Sequence, residues 1–179
     1  VAFLGYEWCS ARYGDHNVYY DIDSGPLFLP DRLESLYAGN EQIDSDSRLL
    51  IPHHPGYARG RRGTDWNVHD PRQERLVEIY STQHGCSEGL ASDPRSLFSR
   101  SMGGLAPCSS VQDALLRGYK VGFTGGSDSH ALLQKSGLVG IYADTLDRTS
   151  LFRGLWERRT IATTGPKFPA IFHINGFGP

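Results

Sequence analysis

Short apolar runs alternate with polar segments along the chain, and each run has the length of a buried strand. The runs are rich in β-branched and aromatic residues, and they lie at residues 1–4, 18–20, 49–51, 76–80, 121–123, 139–142 and 171–174. Apolar runs of this length between turn-forming residues are typical of β-strands. The pattern therefore predicts seven short strands.

Helical patterns lie between several of these runs, at residues 31–37, 111–117 and 149–159. The first begins with an aspartate that can cap a helix, and the second ends just before a glycine. Strands that alternate with helices predict an α/β fold, either layered or barrel-shaped, with a mostly parallel sheet.

Composition narrows the class of protein. The chain has 179 residues, enough for one domain, of which 39% are hydrophobic and 21% charged. No apolar run approaches the ~20 residues of a membrane-spanning helix, so we expect a soluble protein. The formal net charge of −2 indicates no broad nucleic-acid surface. Three widely spaced cysteines without a CxxC pair argue against a disulfide framework or a zinc knuckle.

Several of the predicted strands lead directly to residues that can bind a metal ion. If the strands run parallel, their carboxyl ends meet at one edge of the sheet or barrel. Carboxylate oxygens together with imidazole nitrogens suit zinc, manganese or iron. The residues concerned are Glu7, His53, His54, Glu78, Asp128 and His130.

The spacing of these residues sharpens some of the candidates. Asp128 and His130 are two positions apart, so both side chains face the same side of an extended segment. His53 and His54 are adjacent and point apart, so one of them is expected to be the ligand. Each signal also has a simpler interpretation, such as an Asx turn, a surface histidine pair or a solvated strand end.

Four short motifs resemble the later motifs of the PHP (polymerase and histidinol phosphatase) superfamily. They are Gly5-x-Glu7, Pro52-His53-His54-Pro55, Val77-Glu78 and the segment 126–130. Two longer strings, residues 76–88 and 158–165, resemble a bacterial branch of large proteins in that superfamily. The resemblance implies a distorted, TIM-like (β/α)7 barrel, with residues 1–179 forming the C-terminal portion of a single PHP-like domain.

The resemblance also implies an activity and a set of roles. The activity is phosphoester hydrolysis by metal-activated water at a centre of two or three zinc, manganese or iron ions. Glu7 matches a carboxylate that bridges metals, His53 or His54 the central histidine, and Glu78 a later ligand. Asp128 and His130 match the closing pair, and with Glu7 they are the predicted catalytic residues. The superfamily's opening His-x-His strand is absent, so we expect it upstream in a longer protein.

Further residues are candidates for contacts with substrate. Arg59 and Arg62 lie in a Gly-rich loop and can grip a phosphate, although a solvated basic loop explains them too. His84 and Glu88 follow Glu78 closely, and they contact substrate, support the metal ligands or order their loop. His16 lines the pocket, joins the metal ligands or is a structural histidine in a turn.

Two other functions remain open from the sequence. The same ligands would serve an amidohydrolase-like enzyme that cleaves C–N or carboxylic ester bonds. A degenerate, non-catalytic domain that binds a ligand would also retain part of the pattern. The expected partner is a small phosphoester, with no nucleic acid and no membrane, and the sequence indicates neither location nor oligomeric state.

Overall fold

The computed structural model describes residues 1–89, 106–130, 137–168 and 170–178. Within them the chain forms eight strands, three α-helices and one short 3-10 turn, Ser45–Ser47. The strands are β1 Leu4–Trp8, β2 His16–Tyr20, β3 Arg48–Pro52, β4 Leu76–Ser81, β5 Gly85–Cys86, β6 Gly122–Gly126, β7 Leu138–Ile141 and β8 Thr160–Thr163. The helices are α1 Leu33–Asn40, α2 Val111–Leu116 and α3 Arg148–Trp156.

The strands form three small sheets. The first has the order β1-β2-β3 and is antiparallel throughout. The second has the order β5-β4-β6, in which β4 pairs parallel with β6 and antiparallel with β5. The third is the antiparallel pair of β7 and β8.

The prediction of a TIM-like (β/α)7 barrel is wrong. Parallel neighbours need a long crossover, usually a helix, whereas the short connection 9–15 lets β1 and β2 pair as an antiparallel hairpin. The described residues contain a single parallel strand pair, and their sheets do not close into a barrel. The strand predicted at residues 171–174 is also wrong, because this segment is exposed and has only an isolated bridge at Ile174.

The three predicted helices are present, and their buried faces explain where they pack. In α1 the residues Leu33, Leu36, Tyr37 and Asn40 are buried, which is the spacing of one helix face. This face packs against the first sheet. In the described residues no helix combines the length and the apolar character needed to cross a membrane.

Strand β3 lies at the centre, and all five of its residues are buried. Neighbouring residues of a strand face opposite sides. Leu50 therefore packs in the core beneath α1, whereas Leu49 and Ile51 pack with Phe152 and Leu155 of α3. Burial on both faces carries the end of β3 into the interior, so that the two histidines after it are buried as well.

Helix α2 packs against β4 through its buried face. Ser110 caps the helix by accepting a hydrogen bond from the Asp113 N–H, and the Asp113 carboxylate accepts one from the Ser110 N–H. Val111 and Ala114 then pack with Val77 of β4. Strands β3 and β4 are thus held between helices, and the residues at their ends occupy defined positions.

Candidate metal centre

His53 is the centre of a cluster formed where β1, β3, β4 and β6 come together. Its side chain is almost fully buried. The Nδ1 atom lies 3.0 Å from Oε2 of Glu78. The Nε2 atom faces two other carboxylates, with Oδ2 of Asp128 at 3.6 Å and Oε1 of Glu7 at 3.9 Å. The structure therefore brings together four residues that lie far apart in the sequence.

Glu78 uses both carboxylate oxygens to hold the two histidines. While Oε2 pairs with the His53 ring, Oε1 accepts the backbone N–H of His54 at 3.2 Å. A carboxylate that binds one ring nitrogen of a histidine fixes the orientation of the other nitrogen. Glu78 thus aims the His53 Nε2 atom at Asp128 and Glu7.

His84 joins the cluster from the loop after β4. The backbone N–H groups of Thr82 and Gln83 donate to the carbonyls of Gly126 and Ser127, at 3.1 and 3.2 Å. These hydrogen bonds continue the parallel pairing of β4 and β6 beyond the ends of the two strands. They bring His84 beside Asp128. Its Nε2 atom lies 2.5 Å from Oδ2 of Asp128.

Tyr57 and the backbone of Asp128 complete this side of the cluster. The Tyr57 hydroxyl is hydrogen bonded to Nδ1 of His84, which leaves Nε2 directed at Asp128. Asp128 has a φ of +48°, a left-handed conformation that aspartate tolerates better than most residues. This turn directs its carboxylate towards the two histidines.

His54 lies against both other histidines. Its ring centroid is 4.0 Å from that of His53 and 4.3 Å from that of His84. One nitrogen from each of the three rings lies within 4.8 Å of the others. The Nδ1 atom of His54 is buried and makes no hydrogen bond within the described part of the chain. Three imidazoles this close are suited to sharing a metal ion.

The charges of the cluster are strongly coupled. Burial alone would lower the pKa of His53, but hydrogen bonds to Asp128 and Glu78 raise it to about 10. Burial would raise the pKa of Asp128, but His53 and His84 lower it to about 2. Burial and the neighbouring histidines lower the pKa of His54 to about 2. The carboxylates therefore favour a positive charge beside them, and a bound cation would supply that charge in place of the His53 proton.

A second group of potential ligands lies beside the first, in the hairpin of β1 and β2. Ligand atoms of Glu7, Cys9 and Asp15 lie within 4.8 Å of one another. Burial, together with the charges of Asp15 and Glu7, raises the pKa of Cys9 to about 11. Burial also raises the pKa of Asp15, although a hydrogen bond from the Ser10 backbone and the charge of Arg62 oppose this.

The other predicted site residues lie at different distances from the cluster. His130 is exposed, whereas Asp128, two residues before it, is partly buried. Arg62 reaches the second group, with Nε 3.2 Å from Oδ2 of Asp15. Arg59 instead forms an exposed pair with Asp65 at 2.9 Å.

Glu88 and His16 are placed away from the first group of ligands. Glu88 is partly buried, and its backbone carbonyl accepts the Gln112 N–H at 2.8 Å. His16 is fully buried, with Nε2 2.8 Å from Oε1 of Glu74 and Nδ1 3.0 Å from the Gly14 carbonyl. His16 therefore lies in the core at the first position of β2, and not in a turn.

The network around Glu74 was missed in the sequence. Oε1 of this buried carboxylate also accepts the Tyr37 hydroxyl at 2.7 Å, and Oε2 lies 2.5 Å from Nδ1 of His69. Hydrogen bonds from His16 and His69 lower the pKa of Glu74 although burial alone would raise it. The one available signal was an acidic residue two positions before a mostly apolar strand.

Comparisons with known proteins identify uncharacterised relatives. An uncharacterised protein of Chlamydia trachomatis serovar D is 29% identical over 154 residues, which cover 79% of this chain and 24% of that protein. One from Chlamydia muridarum is 28% identical over 154 residues, with the same two shares. One from Chlamydia pneumoniae is 29% identical over 128 residues, or 65% of this chain and 20% of that protein.

The chain spans about a quarter of the length of the first curated relatives it matches. No family model matches the chain, and no solved structure matches it. The resemblance to the PHP superfamily therefore stays a prediction based on the short motifs.

Proposed function

We propose that the protein is a metal-dependent hydrolase, with phosphoesters as its substrates. The observation that carries this proposal is the environment of His53. One of its ring nitrogens is held by Glu78, and the other faces the carboxylates of Asp128 and Glu7. Buried metal-binding histidines in proteins have this arrangement, with a carboxylate on the nitrogen that does not bind the metal.

The residues present fit a divalent cation. Nε2 of His53, Nε2 of His84 and the carboxylates of Asp128 and Glu7 provide nitrogen and oxygen donors of the kind that zinc, manganese and iron accept. The buried Nδ1 of His54, without a hydrogen bond from the described residues, is a further donor. Glu78 has both oxygens occupied by hydrogen bonds, so its proposed role is to position the histidines.

Side chains of this protein would transfer the proton and bind the phosphate in the proposed hydrolysis. A bound cation would supply Lewis acidity, which neutralises phosphoryl charge and lowers the pKa of a coordinated water. Asp128 and Glu7 are partly exposed, so they can accept a proton from a water that enters from solvent. Arg62, also partly exposed beside Asp15, can bind a phosphate oxygen at the rim.

A substrate panel with matched variants tests the proposal. The purified protein is supplied with manganese or zinc and assayed with aryl phosphate monoesters, phosphodiesters, carboxylic esters and amides. We expect phosphoester hydrolysis that is lost in His53→Ala and Asp128→Asn. A matched control, His173→Ala, removes an exposed histidine far along the chain and should retain full activity.

The other outcomes separate the remaining functions. Faster cleavage of carboxylic esters or amides would indicate an amidohydrolase-like enzyme. Failure to bind either manganese or zinc would support a non-catalytic, ligand-binding domain. Phosphoester hydrolysis by Asp128→Asn at the rate of the unchanged protein would refute the proposed centre.

A further inference from the structure

A mostly apolar cavity of about 190 Å³ lies between the first sheet, β7 and α3. It is on the face of the sheet that is turned away from α1. Successive residues of β2 face opposite sides, so Val18 packs beneath α1, whereas Tyr19 packs with the apolar residues near α3. The apolar part of the wall consists of Phe3, Tyr19, Ile51, Val139, Ile141 and Leu155. Four elements and the segment before β1 therefore form the cavity together.

The register of the strands places this cavity next to the candidate metal centre. Asn17, in the wall of the cavity, is paired with Glu7 on β1 and with Ile51 on β3, so the three side chains share one face of the sheet. His53 follows Ile51 by two positions, and the extended chain directs it to the same face. Glu78 lines the cavity and also holds the His53 ring. The cavity and the metal centre are thus adjacent, with Glu78 in the wall of both.

The size and the lining of the cavity indicate what it binds. Apolar cavities of about 150 Å³ stay dry and bind benzene, so this cavity accepts a phenyl ring or a short branched alkyl group. Its polar groups are few and mostly occupied. Thr124 donates its hydroxyl to the Val77 carbonyl at 3.4 Å, and both oxygens of Glu78 are engaged by the two histidines. A ring or alkyl group fits this lining better than a sugar, whose buried hydroxyls would need partners.

We propose that the cavity binds the apolar alcohol group of the substrate, which makes the substrates phosphomonoesters of aryl or short branched alkyl alcohols. The inference rests on the proposed function, because the metal centre must hold the phosphate while the cavity holds the ring. In the reaction, water adds to phosphorus and the bond from phosphorus to the alcohol oxygen breaks. The departing alcohol takes one proton of the water, and the phosphate keeps the remaining hydroxyl.

Benzene binding to the metal-free protein tests the cavity separately from the chemistry. A ligand that binds only the folded state raises the melting temperature. We expect benzene, in the presence of EDTA, to raise the melting temperature of the unchanged protein. It should have no effect on Val139→Phe, in which the larger side chain fills the cavity from β7. The matched control is Leu146→Phe, which adds a phenyl ring at an exposed position outside the cavity and should keep the benzene effect.

A pair of phosphonates tests whether the cavity and the metal centre hold one ligand. Phenylphosphonate and methylphosphonate carry the same charged group, which is not hydrolysed, and they differ in their apolar part. We expect phenylphosphonate to bind the manganese-loaded protein about 30-fold more tightly, because its ring leaves water. Isothermal titration measures both affinities. In Val139→Phe the two phosphonates should bind almost equally, whereas Leu146→Phe should keep the difference.

A smaller side chain at the same position guards against a variant that fails to fold. Val139→Ala enlarges the cavity and introduces no clash. It should shift the preference from phenylphosphonate towards naphthylphosphonate, whose second ring then finds space. Circular dichroism of each variant confirms that the fold is retained.

The outcomes separate this inference from the proposed function. Phosphoester hydrolysis with equal binding of phenylphosphonate and methylphosphonate overturns the inference and leaves the hydrolase in place. Preferred binding of phenylphosphonate by a protein that hydrolyses no phosphoester supports the cavity as a ligand site and refutes the proposed function. A lack of any benzene effect on the unchanged protein would mean that protein atoms fill this space in solution, which overturns the inference. A benzene effect that persists in Val139→Phe also overturns it.

Discussion

Replacing Glu74 by alanine should destabilise the protein by about 3–5 kcal/mol, the range typical of breaking a buried charged network. The carboxylate is 1% exposed and receives hydrogen bonds from Tyr37 and from the rings of His16 and His69. Its removal leaves three buried polar groups without their common partner.

The hydrogen bonds that remain limit the size of this effect. A buried polar group that loses its partner costs about 1–3 kcal/mol. Tyr37 keeps a long contact with the Val68 carbonyl at 3.4 Å, and His16 keeps the Gly14 carbonyl at 3.0 Å. His69 keeps nothing comparable within the described residues, because its Nε2 is already buried without a partner. The loss of unfolding free energy in Glu74→Ala should therefore lie near the low end of the total cost of three polar groups that each lose a partner.

Urea denaturation at neutral pH, with linear extrapolation, measures this loss. The control is Glu34→Ala, which removes the exposed partner of Arg32 on the same helix that carries Tyr37. Exposed pairs contribute about 0–1 kcal/mol, so the control should unfold almost like the unchanged protein. A loss below about 1 kcal/mol for Glu74→Ala, or one equal to that of Glu34→Ala, would refute a stabilising network.

The same network predicts a pH dependence with a definite sign. The pKa of Glu74 is lowered in the folded protein, since the hydrogen bonds from His16 and His69 outweigh burial. A lowered folded pKa contributes stability above the unfolded pKa, and this stability is lost as the pH falls through the folded value. The difference in unfolding free energy between the unchanged protein and Glu74→Gln should therefore shrink on acidification below about pH 4.

Three further substitutions test the fold and the site. Glu78→Gln should weaken binding of manganese by about 10- to 100-fold because it disturbs the orientation of His53, as isothermal titration would show. Gly14→Ala should destabilise more than Gly60→Ala in thermal unfolding: both glycines have positive φ, but only at Gly14 would the new Cβ lie 2.7 Å from the Thr64 backbone. Ser110→Ala should cost about 1 kcal/mol in urea unfolding through loss of the helix cap.

Local patterns predicted the helices and several strands because the information lies within a few residues. The apolar spacing of α1 and the apolar runs of β3 and β4 each depend on neighbours along the chain. The pairing of strands depends on distant residues. The connection 9–15 is too short for a crossover, but the apolar runs placed the two strands at 1–4 and 18–20, several residues too far apart for this to be seen. The parallel barrel was then assumed from the alternation alone.

The candidate site was predictable to a similar extent. His53, Glu78, Asp128 and Glu7 were singled out because each follows or ends an apolar run, and the structure brings their side chains together. His84 was not predicted to be a direct metal ligand, although its Nε2 atom lies 2.5 Å from Oδ2 of Asp128. Its position depends on backbone pairing between the loop after β4 and the end of β6, which no local pattern records.

The hairpin of β1 and β2 connects the buried network around Glu74 to the candidate metal centre. Asp15 and His16 are neighbours at the start of β2, and adjacent residues of an extended chain face opposite sides. His16 turns inward to Glu74, whereas Asp15 turns towards His54. The carbonyl of Asp15 also accepts the His53 N–H at 2.9 Å, so both histidines after β3 are tied to the same residue. Loss of the Glu74 carboxylate should therefore loosen the ligands as well as the core, and Glu74→Ala should bind manganese more weakly even where it remains folded.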